Sequence, residues 1–279
     1  MTTEPQPILG TGVSGTIGRF MPSHVIPLNV RLESSLGNLQ LPKTPFVLIH
    51  AAAIVGERSV RESLSLSRRV NVDATIELAD AAYHSECSKF VFVSTSHVYD
   101  VSATGSLLTE DSPVLPRGHY ALQKFLAEEH LRTMFAKQPE RLLIARLFSI
   151  IDDQQPAGTL GGAIRALLTN EKANLANTSD ERDFLTPRQA ANLLHACARN
   201  HDLHGVVNVC SGRSMTVRDI TELMMGSRRF SELKDRILNG FSSAPSIVGS
   251  NEKLRSALAD DASHLAETFE KNIRNVFAT

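Results

Sequence analysis

Residues 12–18 read Gly12-Val13-Ser14-Gly15-Thr16-Ile17-Gly18, three glycines each separated by two residues, directly behind the apolar run Pro7-Ile8-Leu9. Glycines in such a turn serve three needs: a tight reversal after a strand, close approach of backbone to a ligand, and close packing of the next helix on that strand. The pattern predicts a strand, a glycine turn, and a helix opening near Thr16. Unpaired N–H groups and the positive dipole end of that helix would suit a pyrophosphate. A glycine pattern alone is a weak signal, because any strand-to-helix turn can carry one. The rest of the chain must supply the context.

That context is an alternation of short apolar runs with longer helical patterns. Residues 46–51 form a continuous apolar run, as a strand buried on both faces of a parallel sheet requires. Residues 70–83 place Val70, Ala74, Ile76, Leu78, Ala81 and Ala82 as a packed helix does. Residues 89–94 form a second buried strand stopped by a polar cluster, residues 120–135 a helix, and residues 141–148 a third strand. Strand and helix in this order predict an α/β chain, a Rossmann-like doubly wound parallel sheet with right-handed crossovers.

The second half is less regular. It reads as a loop over 154–162, a helix from about Ala163, a short strand over 206–209 and a helix over 216–225. A polar tail from Ser231 follows, helical in places, with a loop over 242–250. The expected division is a dinucleotide-binding domain over 1–150 and a smaller C-terminal substrate-binding lobe over 151–279, with 178–212 partly returning to the first domain. No repeat or low-complexity tract interrupts it.

Composition narrows the function. With 279 residues the chain has room for one large domain or a domain with a smaller lobe, and its net charge of −1 offers no basic surplus for nucleic acid or an anionic membrane. Cys87, Cys197 and Cys210 are odd in number and widely spaced, with no CxxC or Cys/His pair, so no metal site or disulfide framework is expected. No apolar stretch approaches the roughly 18–20 residues of a membrane helix. The first ten residues lack the pattern of a signal peptide, and a cytoplasmic address is the default.

Chemistry gathers in two places. Tyr120-Ala121-Leu122-Gln123-Lys124 puts a phenol and an ammonium four residues apart, on one face of a helix. A neighbouring ammonium favours the phenolate and lowers a tyrosine's pKa from its free value of about 10. Such a tyrosine can move a proton to or from a substrate oxygen near neutral pH; the plain alternative is an exposed helix pair. Upstream, Ser94-Thr95-Ser96 ends the strand that begins at Lys89. Open parallel sheets bind ligands beyond the carboxyl ends of their strands, so a hydroxyl there can reach the same oxygen. Strand-end capping is the alternative. Glycine turn, hydroxyl and Tyr-Lys pair in this order point to one site.

In these motifs the sequence resembles the extended short-chain dehydrogenase/reductases, the nucleotide-sugar epimerase/dehydratase group, from about Ile8 to Gly212. His50-Ala51-Ala52-Ala53 matches the family's segment near the cofactor, and Asn71 its structural and proton-relay asparagine. Aligning Phe92-Val93-Ser94-Thr95-Ser96-His97-Val98-Tyr99 on Val98-Tyr99 makes Thr95 the catalytic hydroxyl. The resemblance implies that Tyr120 is the acid/base and that Lys124 both assists it and holds the nicotinamide ribose. Gly12, Ser14, Gly15, Thr16, Ile17, Gly18, Ala51, Ala52, Ala53, Asn71 and Ser94 would complete the cofactor site. Arg182-Asp183-Phe184 resembles the family's RDF segment, and 208–212 its late strand and turn. Arg146 or Arg182 could pair with the diphosphate of a sugar nucleotide, beside Ser96 and His97; a salt bridge is the alternative for Arg182.

Departures from the family refine this reading. The run 24–31 offers Asn29 and Arg31 where a ribose-binding carboxylate is usual, so NAD or NADP is implied with a lean to NADP through Arg31. The connection to Phe46 is short enough to lack one strand-helix unit. Ser96-His97 replaces the acidic pair a 4,6-dehydratase uses, which argues against that reaction. His97 is an extra proton donor or a solvated histidine. Arg188-Gln189 stands where the family has an acidic pair, and Ser149 replaces its asparagine.

The expected activity is therefore epimerisation or 4-keto reduction of a nucleotide sugar. Two alternatives stay open: a reductase of a non-sugar carbonyl, and a dinucleotide-sensing protein without turnover. A homodimer is an expectation by family analogy alone.

Overall fold

A computed structural model of the chain describes residues 6–37, 39–102, 107–152, 154–155, 159–169, 175, 178–233 and 246–258. Its centre is a parallel sheet built from β1 (Ile8–Thr11), β2 (Ile26–Pro27), β3 (Phe46–His50), β4 (Cys87–Thr95), β5 (Leu142–Leu147) and β9 (Gly205–Val209). Spatial order is β2-β1-β3-β4-β5-β9, and every pairing in it is parallel. The doubly wound α/β fold is what the sequence led us to expect.

Period-two alternation explains why the strands are apolar throughout. Phe46 and Leu48, Phe90 and Phe92, and Leu142 and Ile144 enter one core layer, beneath the helix α3 (Ala74–Tyr83) and the helix α4 (His119–Met134). Val47 and Ile49, Val91 and Val93, and Leu143 and Ala145 enter the other, beneath α6 (Pro187–Arg199). Each fully buried side chain of this size contributes about 1.5–3 kcal/mol. The helical run before α3 is longer than the sequence suggested: α1 (Glu57–Glu62), α2 (Leu64–Arg68) and a π turn at Arg69–Asp73 lead into it.

The opposite flank differs from expectation. No α-helix follows the glycine turn; a single 3-10 turn at Gly18–Phe20 stands in its place. Pro22 explains this, because the residue before a proline is driven to extended backbone, and Met21 lies at φ −60°, ψ 145°. The expected helix dipole behind the loop is therefore absent. Phe20 is instead flanked by the guanidinium groups of Arg19 and Arg188, at 5.0 and 4.9 Å from its ring centre. Between Pro27 and Phe46 the described residues hold neither strand nor helix. Arg69 and Glu77 pin this coil: Arg69 donates to the Ser34 carbonyl, and Glu77 accepts from the Leu36 amide. One strand-helix unit is missing from the edge of the sheet.

A smaller core lies apart from the sheet. There α5 (Leu160–Leu168), α7 (Val217–Met225) and α8 (Ser227–Glu232) enclose Ile164, Leu167, Phe184, Ile220, Met224 and Phe230. The short pairs β6 (Ser149–Ile150) with β8 (Phe184–Leu185), and β7 (Glu181–Arg182) with β10 (Met215–Thr216), join it to the sheet region. The last described helix, α9 (Glu252–Leu258), places Leu254 in the sheet's core. The expected 242–250 loop lies outside the described residues up to 245, as does the tail beyond 258.

Candidate active site at the carboxyl edge of the sheet

The chain leaves β1 towards β2 and leaves β3 towards β4, so the strand order reverses between β1 and β3. Crevices at such a switch point are where open α/β sheets bind ligands. Here the glycine loop meets the 51–54 segment. Gly12 has φ +70°, and a Cβ on it would lie 2.7 Å from the Ala52 nitrogen. A Cβ on Gly18 would fall 2.0 Å from the Gly12 carbonyl oxygen, so that position closes the turn on itself. Gly15 differs: its Cβ would meet only the Gly12 oxygen, at 3.2 Å, and Ser14, Gly15 and Thr16 are exposed. Two glycines are required by packing. The middle one leaves an open backbone face, which is the cradle a pyrophosphate needs.

A buried chain of hydrogen bonds stiffens this junction. The Ala52 amide donates to Thr11 Oγ1 at 3.3 Å, and Thr11 Oγ1 lies 2.7 Å from His50 Nδ1. His50 Nε2 lies 2.9 Å from Thr75 Oγ1, which donates to the Asn71 carbonyl at 3.1 Å. Thr75 uses its proton on that carbonyl, so His50 must donate from Nε2 and accept at Nδ1, as the neutral tautomer. Burial, and then the charge of Lys124, lower its pKa to about 3. Asn71 clamps Ile54, accepting from its amide at 2.8 Å and donating to its carbonyl at 2.9 Å, and also donates to Gln123. Asn71 thus fixes the end of the loop that carries Ala51, Ala52 and Ala53.

Across the next strand, β4 ends at Thr95. Thr95 is buried, and its hydroxyl accepts from the His97 amide at 3.3 Å, capping the turn Ser96–Val98. Ser96 is buried, whereas the His97 side chain is exposed. His97 keeps a solvent-facing surface but is crowded enough that loss of solvation, and then the charge of Arg182, lower its pKa. Arg182 itself bonds Asp180 at 3.0 Å.

The helix α4 carries Tyr120 and Lys124 to the same edge. Its first turn is held by Glu57, whose carboxylate accepts from the Tyr120 amide at 3.1 Å. Lys124 is buried; its ammonium donates to the Val93 carbonyl at 2.8 Å and lies 4.6 Å from the centre of the Phe92 ring. Burial pulls its pKa down to about 8, against the opposing charge of Glu128. The phenol of Tyr120 is raised by burial alone. The expected lowering of its pKa by Lys124 is not present in this arrangement, because the ammonium is turned to Val93 and Phe92.

Two further residues stand elsewhere than the sequence suggested. Arg146 does not face a ligand: it is buried on β5 and bonds Glu128 of α4 at 2.7 Å, beside the Tyr99 ring at 4.6 Å. Ser94 donates to the same carboxylate at 2.5 Å. Both belong to the packing between α4 and the sheet. Arg31 is exposed on the edge segment after β2. Sequence reasoning missed Glu57, Glu128 and the roles of His50 and Thr11. A carboxylate at 128, one turn beyond Lys124 on a packed face, was the available signal. Asp183 of the RDF segment is buried and accepts from Ser211 and Gly212, fixing the turn after β9; burial raises its pKa to about 6 against these bonds.

Among the described residues no cluster of three metal-ligating side chains occurs, and no helix is long and apolar enough to cross a membrane.

A family model described as the NAD dependent epimerase/dehydratase family matches residues 11–210. The chain is 26% identical over 244 residues to GDP-6-deoxy-D-mannose reductase of Pseudomonas aeruginosa, which covers 78% of this chain and 79% of that protein. A shorter match to UDP-glucose 4-epimerase 2 of Oryza sativa subsp. japonica, 32% identical over 117 residues, covers 41% of this chain and 28% of that one. A solved structure of RMD from Pseudomonas aeruginosa complexed with NADPH shares the fold with a TM-score of 0.74 at 21% identity, covering 97% of this chain and 99% of that one. UDP-N-acetylglucosamine 4-epimerase from Methanobrevibacter ruminantium M1, in complex with UDP-N-acetylmuramic acid, gives a TM-score of 0.75 at 20% identity, covering 99% and 98%.

Proposed function

The chain belongs to the NAD dependent epimerase/dehydratase family, and from that premise we propose that it is an NAD(P)-dependent 4-keto reductase or epimerase of a nucleotide-activated sugar. One observation carries this reading. The open glycine loop, the Ala51–Ala53 segment, Thr95 and the Tyr120-Lys124 helix face all lie at the carboxyl edge of one parallel sheet. The reductase of Pseudomonas aeruginosa, similar over most of both chains, favours the reductase branch.

The residues present fit a dinucleotide. In our reading Gly12, Ser14, Gly15, Thr16, Ile17 and Gly18 receive its pyrophosphate by backbone alone, without a helix dipole behind them. Ala51, Ala52 and Ala53, fixed by Thr11 and Asn71, wall the crevice. Arg31 is exposed and the run 24–31 holds no carboxylate, which favours the 2′-phosphate of NADP. When bound, the nicotinamide supplies a hydride donor or acceptor.

This chain's residues manage the proton. Thr95 orients the substrate oxygen with its hydroxyl. Tyr120, whose burial keeps the phenol protonated, gives its proton to that oxygen as the carbonyl is reduced; in the reverse direction the phenolate left by that step takes the proton back. Lys124 has three N–H donors, of which Val93 accepts one, so the others can hold a ribose hydroxyl. Ser96, His97 and Arg182 line the approach of the sugar diphosphate. A groove of about 430 Å³ along α2, the π turn and α4 exposes Leu64, Leu122 and Leu126; it is the face on which a second copy would dock.

Tyr120→Phe tests the assignment. Turnover on a panel of UDP-, GDP- and dTDP-linked 4-keto sugars should be abolished, while NADPH affinity stays nearly that of the parent. A second reading, a dinucleotide sensor without turnover, is favoured by the hold of the Val93 carbonyl and the Phe92 ring on the Lys124 ammonium. Unaltered activity in Tyr120→Phe removes the proposed mechanism; parent protein that binds NADPH yet turns over no panel member favours the sensor.

A further inference from the structure

We propose that Glu128 is a positioning residue: its buried carboxylate locks the end of β4, next to Thr95, to the helix face that carries Tyr120 and Lys124, and balances the buried Lys124 ammonium. The proposal rests on the roles given above to Thr95, Tyr120 and Lys124.

Glu128 lies one helical turn beyond Lys124 on α4 and has no exposed surface. One carboxylate oxygen accepts from Ser94 Oγ at 2.5 Å and from Arg146 Nε at 3.2 Å; the other accepts from Arg146 Nη2 at 2.7 Å. Arg132, partly exposed, approaches to 3.5 Å. Lys124 holds the neighbouring residue of β4 through the Val93 carbonyl. Two consecutive residues of the strand are therefore held by two consecutive turns of one helix. Thr95 follows them directly, and Tyr120 precedes Lys124 by one turn. The helix cannot rotate or slide against β4 without breaking both holds.

Stability does not account for this arrangement. A buried ion pair is often no more stable than well-packed apolar residues of the same volume. The charge has a use beside Lys124. The groups around that ammonium are Glu128 from α4, neutral His50 from β3, and the Phe92 ring and Val93 carbonyl from β4. Arg146 of β5 is bonded to Glu128. Glu128 is the one anion in this set, and it opposes the desolvation that lowers Lys124.

Glu128→Gln alone would leave Arg146 charged and unpaired inside the protein, a change that can prevent folding. The working variant is therefore Glu128→Gln with Arg146→Met, which removes both charges. Titration of the Lys124 ammonium by 15N NMR, assigned through loss of its signal in Lys124→Met, should give a midpoint lower by about half a unit or more. An unchanged midpoint in the folded double variant overturns the electrostatic half of the proposal. Ser94→Ala tests the mechanical half. It should lower kcat about tenfold with little change in KM and leave the Lys124 midpoint in place; parental kcat overturns it. The NMR titration needs no turnover, so its outcome stands whatever Tyr120→Phe shows.

Discussion

The two sides of the β1/β3 switch point are built to different standards. On one side β3, β4 and β5 are covered on both faces, and each divides its residues between two core layers. On the other, β2 is two exposed residues long, the helix behind the glycine loop is reduced to one turn, and a coil replaces a strand-helix unit. The deep side carries the residues proposed for chemistry. The trimmed side carries those proposed for the adenosine end of the dinucleotide. The contrast teaches that the end proposed for chemistry is built on strands covered on both faces, while the end proposed for binding rests on glycine backbone and its neighbours.

Four substitutions test that contrast. His50, on the deep side, should matter most. Its folded pKa of about 3 lies below the unfolded value near 6.5, so its stabilisation is present above pH 6.5 and is lost as pH falls towards 3. The full loss is up to about 5 kcal/mol. Urea denaturation at stepped pH should show a slope between pH 6 and 4 that is shallower in His50→Gln than in the parent; equal slopes would mean His50 is charged or exposed.

On the trimmed side, Gly18→Ala should cost about 3 kcal/mol, because its Cβ would overlap the Gly12 carbonyl, measured by the same denaturation. Gly15→Ala should separate folding from binding. Stability should stay within about 0.5 kcal/mol, while NADPH affinity falls about tenfold as the methyl fills the open backbone face. A loss of stability at Gly15 equal to that at Gly18 would erase the distinction between the two glycines. Arg31→Ala should have the smallest effect, reducing the preference for NADPH over NADH about fivefold or less in fluorescence titrations, as suits an exposed charge. An unchanged ratio would leave the lean to NADP without support.

The difference between the two sides also governed what could be read in the sequence. Strands buried on both faces announce themselves as apolar runs, and 46–51, 89–94 and 141–148 each became a strand within two residues of the expected ends. The missing unit was legible in the short connection to Phe46. The missing helix was legible too, in Pro22, but the glycine pattern suggested a helix more loudly than one proline opposed it. Arg146 was misplaced for a different reason. An arginine inside a strand looks like a ligand for phosphate until the fold brings Glu128, 18 residues away, against it. The direction of the Lys124 ammonium is likewise a tertiary matter: YxxxK spacing fixes the helix face, and the Val93 carbonyl and Phe92 ring decide where the charge points.

The most direct measurement is a crystal structure of the protein with NADPH bound. The account predicts the pyrophosphate against Gly15, Arg31 towards the 2′-phosphate, and the nicotinamide ring between Thr95 and Tyr120. A dinucleotide seated away from the glycine loop, or a ring with Thr95, Tyr120 and Lys124 pointing into separate regions, would contradict it.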